Sequence, residues 1–169
     1  FEAKIGKAEK INTHGGSIRI YVKKDMKVKI DKSINKIIKE EIDYGINKFK
    51  TYQNFGEKVY KIRENVIKNI NQLKKDGKKI IGFGAPAKAT TALNFFGISD
   101  QIDFIVEDNK LKHNKFIPGV KIPIVSKNKV NGKGDTILVL AWNFFEDIKK
   151  NNKTLSDNFI NVKSLEKDT

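Results

Sequence analysis

Three clusters of residues in this 169-residue chain have types and spacings that could do chemistry. The first is Gly82-Phe83-Gly84-Ala85-Pro86-Ala87, which fits the pattern G-x-G-x-x-A and is followed directly by Lys88. Glycines there permit a tight turn and a close backbone approach. A helix starting at the turn offers unpaired N–H groups and a positive dipole end to a phosphate. Glu107 and Asp108 come about 20 residues later, where a dinucleotide site places the acid that meets the ribose hydroxyls. Lys88 adds a cation, but Gly-Lys-Ser/Thr is absent, so this is no P-loop. Any strand-to-helix turn in an α/β sheet favours glycine, and that purely structural reading stays open beside the ligand-binding one.

The second cluster is Ala141-Trp142-Asn143, after the apolar run Thr136 to Leu140. An indole ring can stack on a ligand and an amide side chain can orient it. The alternative is that Trp142 caps the core and Asn143 caps the following helix. The third cluster is His14-Gly15-Gly16-Ser17 with Arg19. It combines an acid/base group, which makes His14 the one candidate for a catalytic role, with a hydroxyl and a guanidinium suited to phosphate. Phe116-Ile117-Pro118-Gly119 is a turn placed to overhang the crevice between the first two clusters, and His113, in a Lys-rich loop, reads as solvated.

The elements that would hold these residues follow from apolar periodicity. Residues 17 to 23 alternate with β-branched and aromatic side chains and read as a strand, joining either the main sheet or an upstream domain. Asp31 or Ser33 can cap a helix whose stripe is Ile34, Ile37, Ile38, Ile42, Ile46 and Phe49, with Gly45 as a break. A second stripe, Phe55, Val59, Ile62, Val66, Ile70 and Leu73, stops at Asp76-Gly77, with Lys74 and Lys75 suited to the negative end of the helix dipole. From Lys78 the pattern becomes strands at 79 to 83, 103 to 106, 120 to 125, 136 to 140 and 159 to 162, with helices at 87 to 96 and 144 to 150. Strands alternating with helices predict an α/β fold, a Rossmann-like mostly parallel sheet with flanking helices. The expected division is a strand plus a long helical connector over 1–77 and the Rossmann-like core over 78–169. If strand order reverses beside strand 79 to 83, the Trp142 loop faces the glycine turn across a ligand crevice.

Composition excludes several classes. There is no Cys and there are two His, so thiolate zinc sites, disulfides and Cys nucleophiles are excluded and no metal site is expected. No apolar run approaches the roughly 18 residues of a membrane span. The net charge of +14 invites a nucleic-acid reading. The basic residues, however, are 32 Lys and only Arg19 and Arg63, alongside 17 Asn, which reads as a general residue bias. Composition therefore disfavours a nucleic-acid partner, since bidentate recognition favours Arg, and an anionic small molecule is preferred. The chain opens on Phe1 with no signal pattern and reads as a piece of a cytoplasmic protein.

In order, Thr13-His14-Gly15-Gly16-Ser17-Ile18-Arg19, Gly82-Phe83-Gly84-Ala85-Pro86-Ala87-Lys88-Ala89, Leu93-Asn94-Phe95-Phe96-Gly97-Ile98, Ile105-Val106-Glu107-Asp108-Asn109, Pro118-Gly119-Val120-Lys121-Ile122-Pro123-Ile124 and Leu140-Ala141-Trp142-Asn143 resemble the carboxyl-terminal domain of the S-adenosylmethionine-dependent sugar-nucleotide C-methyltransferases. The resemblance runs over about residues 10 to 150. It implies a nucleoside-diphosphate sugar as substrate, and S-adenosylmethionine as methyl donor, held by a separate upstream domain of the same protein. The family's Tyr-x-Glu-His catalytic segment and Cys-rich zinc region are absent from these residues. The chain after Lys150 is shorter and more polar than the family pattern. The expected role is then a substrate-side domain with no cofactor of its own, inactive alone. Its contact residues would be His14, Ser17, Arg19, Gly82, Gly84, Ala85, Pro86, Ala87, Lys88, Asp108, Trp142 and Asn143. Rival readings are an NAD(P)-binding or regulatory Rossmann module, with Asp108 on the ribose, and a basic nucleic-acid-binding domain with lysines gathered on one face.

Overall fold

The computed structural model describes residues 2–25 and 27–167. The chain forms two compact units, Phe1–Lys58 and Val59–Thr169. In the first, β1 (Lys4–Ile11) and β2 (Ser17–Lys23) make an antiparallel hairpin in which Ile11 faces Ser17 and Ile5 faces Val22, with a bulge between Ile5 and Lys7. The strand expected over 17 to 23 is present. It pairs with β1 in a two-stranded sheet of its own, which corrects the expectation that it joins the main sheet. The β1 segment carries no alternating apolar signal because its buried positions are Gly6 and Ala8, residues too small to register as a hydrophobic face.

Helix α1 (Lys32–Tyr44) begins where the Asp31 carboxylate accepts the Ser33 N–H at 2.8 Å, so Asp31 rather than Ser33 is the cap. It ends at Gly45, whose φ of 84° lets its N–H turn back onto the Glu41 and Ile42 carbonyls. Helix α2 (Phe49–Lys75) runs 27 residues, starting before the apolar stripe at Phe55, and carries Lys74 and Lys75 in its last turn.

The second unit holds β3 (Ile80–Phe83), α3 (Ala87–Phe96), β4 (Ile105–Val106), β5 (Lys115–Phe116), β6 (Pro123–Val125), β7 (Thr136–Val139), α4 (Phe145–Asn151) and β8 (Asn158–Asn161). They form a six-stranded sheet of order β5-β6-β4-β3-β7-β8, parallel throughout except for the β5–β6 pair. This is the Rossmann-like α/β architecture read from the alternation. The chain builds outward from β3 through β4 to β6, then returns to add β7 and β8 on the other side, so the order reverses between β3 and β7.

Side chains alternate across the sheet. Ile80, Ile105, Leu138 and Leu140 join the core that includes Val66 and Ile70 of α2 and Leu93 of α3. Ile81, Phe83, Ile137 and Val139 join the opposite core, against which Phe145 and Ile148 of α4 pack. Burial on both faces explains why these strands read as continuous apolar runs. The polar C-terminal segment is anchored as well. Val162 and Leu165 are buried, and Asn65 and Asn69, one helical turn apart on α2, donate to the Glu166 and Leu165 carbonyls at 3.0 Å each.

Among the described residues, no helix is long and apolar enough to cross a membrane. The central strand leaves no room for a side chain at Gly82, where a Cβ would lie 2.8 Å from Ile105 Cγ1 and 3.1 Å from Leu140 Cδ1. Gly82→Ala should therefore destabilise the second unit by about 1–3 kcal/mol through overpacking, seen as a lower urea midpoint with an unchanged slope.

Candidate functional site

Where the strand order reverses, the carboxyl ends of β3, β4 and β7 border a cleft of about 310 Å³. It is lined by Phe83, Gly84, Pro86, Glu107, Asp108, Lys112, Ala141, Phe144 and Ile148. The glycine turn and the loop after β7 thus meet as the topology requires. They meet closely: Gly84 has a φ of 89°, and a Cβ on it would sit 2.9 Å from the Ala141 Cβ. Both Gly82 and Gly84 are accordingly fixed by packing between strands before any ligand is considered.

The turn's amides are partly spent. Gly84 N–H donates to the Val106 carbonyl at 2.8 Å, Ala85 N–H to a Glu107 carboxylate oxygen at 2.8 Å, and Pro86 has none to give. Ala89 N–H returns to the Pro86 carbonyl at 2.9 Å, and no side chain caps α3. The amides at the exposed start of the helix, those of Ala87 and Lys88, have no intrahelical acceptor. Lys88 Nζ lies 5.7 Å from the Trp142 ring centroid, a cation–π arrangement, and carries no carboxylate partner among the described residues.

The acidic pair after β4 divides into two roles. Asp108 is 60% exposed and pairs with Lys127 at 2.7 Å. Glu107 is 14% exposed and turns inward, accepting the Ala85 and Asn109 amides at 2.8 and 3.0 Å and the Lys112 ammonium at 3.5 Å. Lys112 also donates to the Ala85 carbonyl at 2.9 Å. Partial burial pushes the Glu107 carboxyl up, but the Asn109 and Ala85 amides and the Lys112 charge outweigh it and hold the group below the ordinary glutamate range.

His113 is half-buried, with Nε2 2.7 Å from the Glu107 carbonyl, which corrects its reading as a solvated loop residue. Glu107, Lys112 and His113 come together because the loop folds back through a tight turn at Lys110–Lys112, capped by the Asn109 side chain on the Leu111 N–H. Asp108-Asn109 was the available signal, since Asx residues initiate such turns.

Trp142 packs partly against the core formed with α2 and α3, which is the capping role read for it, and its ring lies under the Lys88 ammonium. Asn143 is exposed and does not cap α4, whose N-cap is Phe144 without a side-chain bond. The turn Phe116 to Gly119 sits against α3: Ile117 is buried and Asn94 donates to the Pro118 carbonyl at 3.0 Å. It does not line the cleft, contrary to its expected overhang.

Ser17 and Arg19 belong to the first unit. Ser17 Oγ donates to the Thr13 carbonyl at 3.1 Å, and Gly16, Ser17 and Ile18 line an open groove of about 550 Å³ beside Lys10 to Asn12. Arg19 is exposed and pairs loosely with Glu9 at 4.0 Å. The backbone of His14 lies in the connecting turn, and its side chain is outside the described structure. Among the described residues no group of three or more His, Asp or Glu is placed to hold a metal ion.

Two comparisons bear on this site. The family model described as the C-methyltransferase C-terminal domain matches residues 12–161. The chain is 32% identical over 152 residues to the C-methyltransferase NovU of Streptomyces niveus, covering 87% of this chain and 36% of that protein. The chain therefore spans about a third of the length of this curated relative.

Removing the inward carboxylate should loosen the site. Glu107→Ala leaves the Ala85 amide unpaired and should cost about 1–3 kcal/mol, whereas Glu107→Gln keeps an acceptor and should cost less. Because the folded carboxyl titrates below its usual 4.5, its contribution is full above that pH and is lost as pH falls through the folded value. The stability gap between the unaltered chain and Glu107→Ala, followed by urea unfolding, should narrow on acidification below 4.5.

Proposed function

This chain belongs to the C-methyltransferases, of which it is a C-terminal domain, and from that membership we propose that it is the substrate-side domain of a cytoplasmic enzyme that methylates a carbon of a nucleoside-diphosphate sugar. The observation that carries the ligand class is Lys88. Of the lysines at this end of the sheet, Lys112 and Lys127 are neutralised by Glu107 and Asp108, while Lys88 stands over the Trp142 ring beside the open amides of Ala87 and Lys88. A diphosphate placed there gains a cation, two N–H donors and the positive end of α3. The apolar wall of Pro86, Ala141, Phe144 and Ile148 suits a base or the deoxygenated edge of a sugar. Gly82, Gly84 and Ala85 shape the turn, and Asp108 lines the cleft beside it.

Methyl transfer draws on S-adenosylmethionine, and this chain's residues do not fit that group. An adenosyl ribose calls for an acid free to accept both hydroxyls at the end of the second strand. Here Glu107 is folded onto the turn and Asp108 is paired with Lys127. We assign the donor to a part of the protein outside this chain, which covers 36% of the length of its Streptomyces niveus relative. The same engagement of both acids counts against a dinucleotide module with Asp108 on the ribose.

Trp142 is the single tryptophan of the chain and follows the cleft residue Ala141, so its fluorescence reports on the loop that borders the cleft and on Lys88 above its ring. Titration with UDP-glucose should shift that emission and the backbone amide resonances of residues 87, 88 and 141 to 144, with an affinity near millimolar. Lys88→Ala should weaken binding about fivefold to tenfold. Shifts spread evenly over the surface lysines and abolished by moderate salt would mean unspecific charge attraction and would defeat the proposal. This chain with S-adenosylmethionine and UDP-glucose should show methyl transfer no faster than buffer; turnover above background would refute the assignment of the donor elsewhere.

A further inference from the structure

In a dinucleotide site the glycine turn gives its amides to a pyrophosphate, and the acid at the end of the next strand grips two ribose hydroxyls. In this chain that acid is bonded to the turn itself. Glu107 Oε2 takes the Ala85 N–H and the Lys112 ammonium, and Oε1 takes the Asn109 N–H. An ionised carboxylate offers about four lone-pair sites, so three donors leave about one, at Oε1. Nor is the side chain free to swing aside. Lys112 ties it to the Ala85 carbonyl, and His113 holds the Glu107 carbonyl, so turn, carboxylate and loop form one bonded unit. The carboxylate lines a cleft whose remaining wall is mostly Phe83, Pro86, Ala141, Phe144 and Ile148.

We infer that Glu107 is a specificity residue of this cleft: it accepts one hydroxyl or amine of the ligand's sugar and excludes a pyrophosphate from the Ala85 amide. A phosphate oxygen seeking that amide meets an ionised carboxylate already bonded to it at 2.8 Å, and like charges that close in a partly buried place repel strongly. A ribose diol needs two acceptor positions and finds one. A single sugar donor matches the position left, and the diphosphate is left to the Ala87 and Lys88 amides. The sugar half of this inference rests on the sugar-nucleotide reading above; the exclusion of pyrophosphate stands independently of it.

The test uses this chain, Glu107→Gln and the control Asp103→Asn, whose carboxylate pairs loosely with Lys79 at 4.0 Å and does not line the cleft, with NAD, UDP and UDP-glucose as probes, reading Trp142 fluorescence and the Ala85 backbone amide. NAD should leave the Ala85 resonance of the unaltered chain in place. Glu107→Gln should gain about tenfold or more in NAD affinity, with a shift at Ala85, and Asp103→Asn should not. UDP-glucose should bind the unaltered chain about threefold or more tighter than UDP, and Glu107→Gln should bring that ratio to about one. An Ala85 shift with NAD in the unaltered chain overturns the inference. So does a Glu107→Gln protein that gains nothing or is matched by Asp103→Asn, and so does a UDP-glucose to UDP ratio that Glu107→Gln leaves unchanged. If neither UDP nor UDP-glucose binds the unaltered chain, the sugar-nucleotide reading fails and the NAD comparison alone decides the inference. Should Glu107→Gln not fold, as judged by circular dichroism, the response of the unaltered chain to NAD decides it.

Discussion

The second unit depends on how tightly β3 is held between its neighbours. Ile80 to Phe83 are buried on both faces, and neither Gly82 nor Gly84 has room for a Cβ. That closeness brings β4 and β7 up against β3, and it sets the spacing of the turn and loops at their carboxyl ends. The cleft is a consequence of strand packing: it opens where chain order reverses, and its walls are fixed by residues that also close the two cores.

Within that frame the charges arrange themselves by pairing. Glu107 and Asp108 are adjacent in sequence and both line the cleft, yet Glu107 folds onto the glycine turn while the more exposed Asp108 meets Lys127. The inward carboxylate replaces the anion that a glycine turn of this type usually receives. Lys88, at the start of α3 and over the Trp142 ring, has no carboxylate partner among the described residues. A strongly basic chain, with a net charge of +14, thus has Lys112 and Lys127 paired with carboxylates at its cleft.

The first unit is built differently. Its hairpin and α1 bury Ala8, Gly6 and Gly45, while Ile18, Ile20 and Val22 of β2 remain exposed. Small residues on its inward side let the strand and helix approach but leave little apolar area to close a core.

How much of this was legible beforehand follows from which signals are local. The α/β class, the helix at 87 to 96, the break at Gly45 and the strand at 17 to 23 rest on apolar periodicity and glycine placement, properties of contiguous residues. The ordered motifs from Thr13 to Asn143 likewise pointed to the methyltransferase family from sequence alone. Strand β1 escaped because Gly6 and Ala8 mark no face, and β2's pairing because register depends on a partner the pattern did not reveal. The tertiary structure alone decided which acid turns inward, that Lys112 and His113 converge on it, and that the Pro118 turn packs on Asn94. Those outcomes depend on a loop folding back across residues up to 27 positions away, between Ala85 and Lys112, and on competition among donors for one carboxylate. Such competition is settled by distances in space, and spacing along the chain does not encode them.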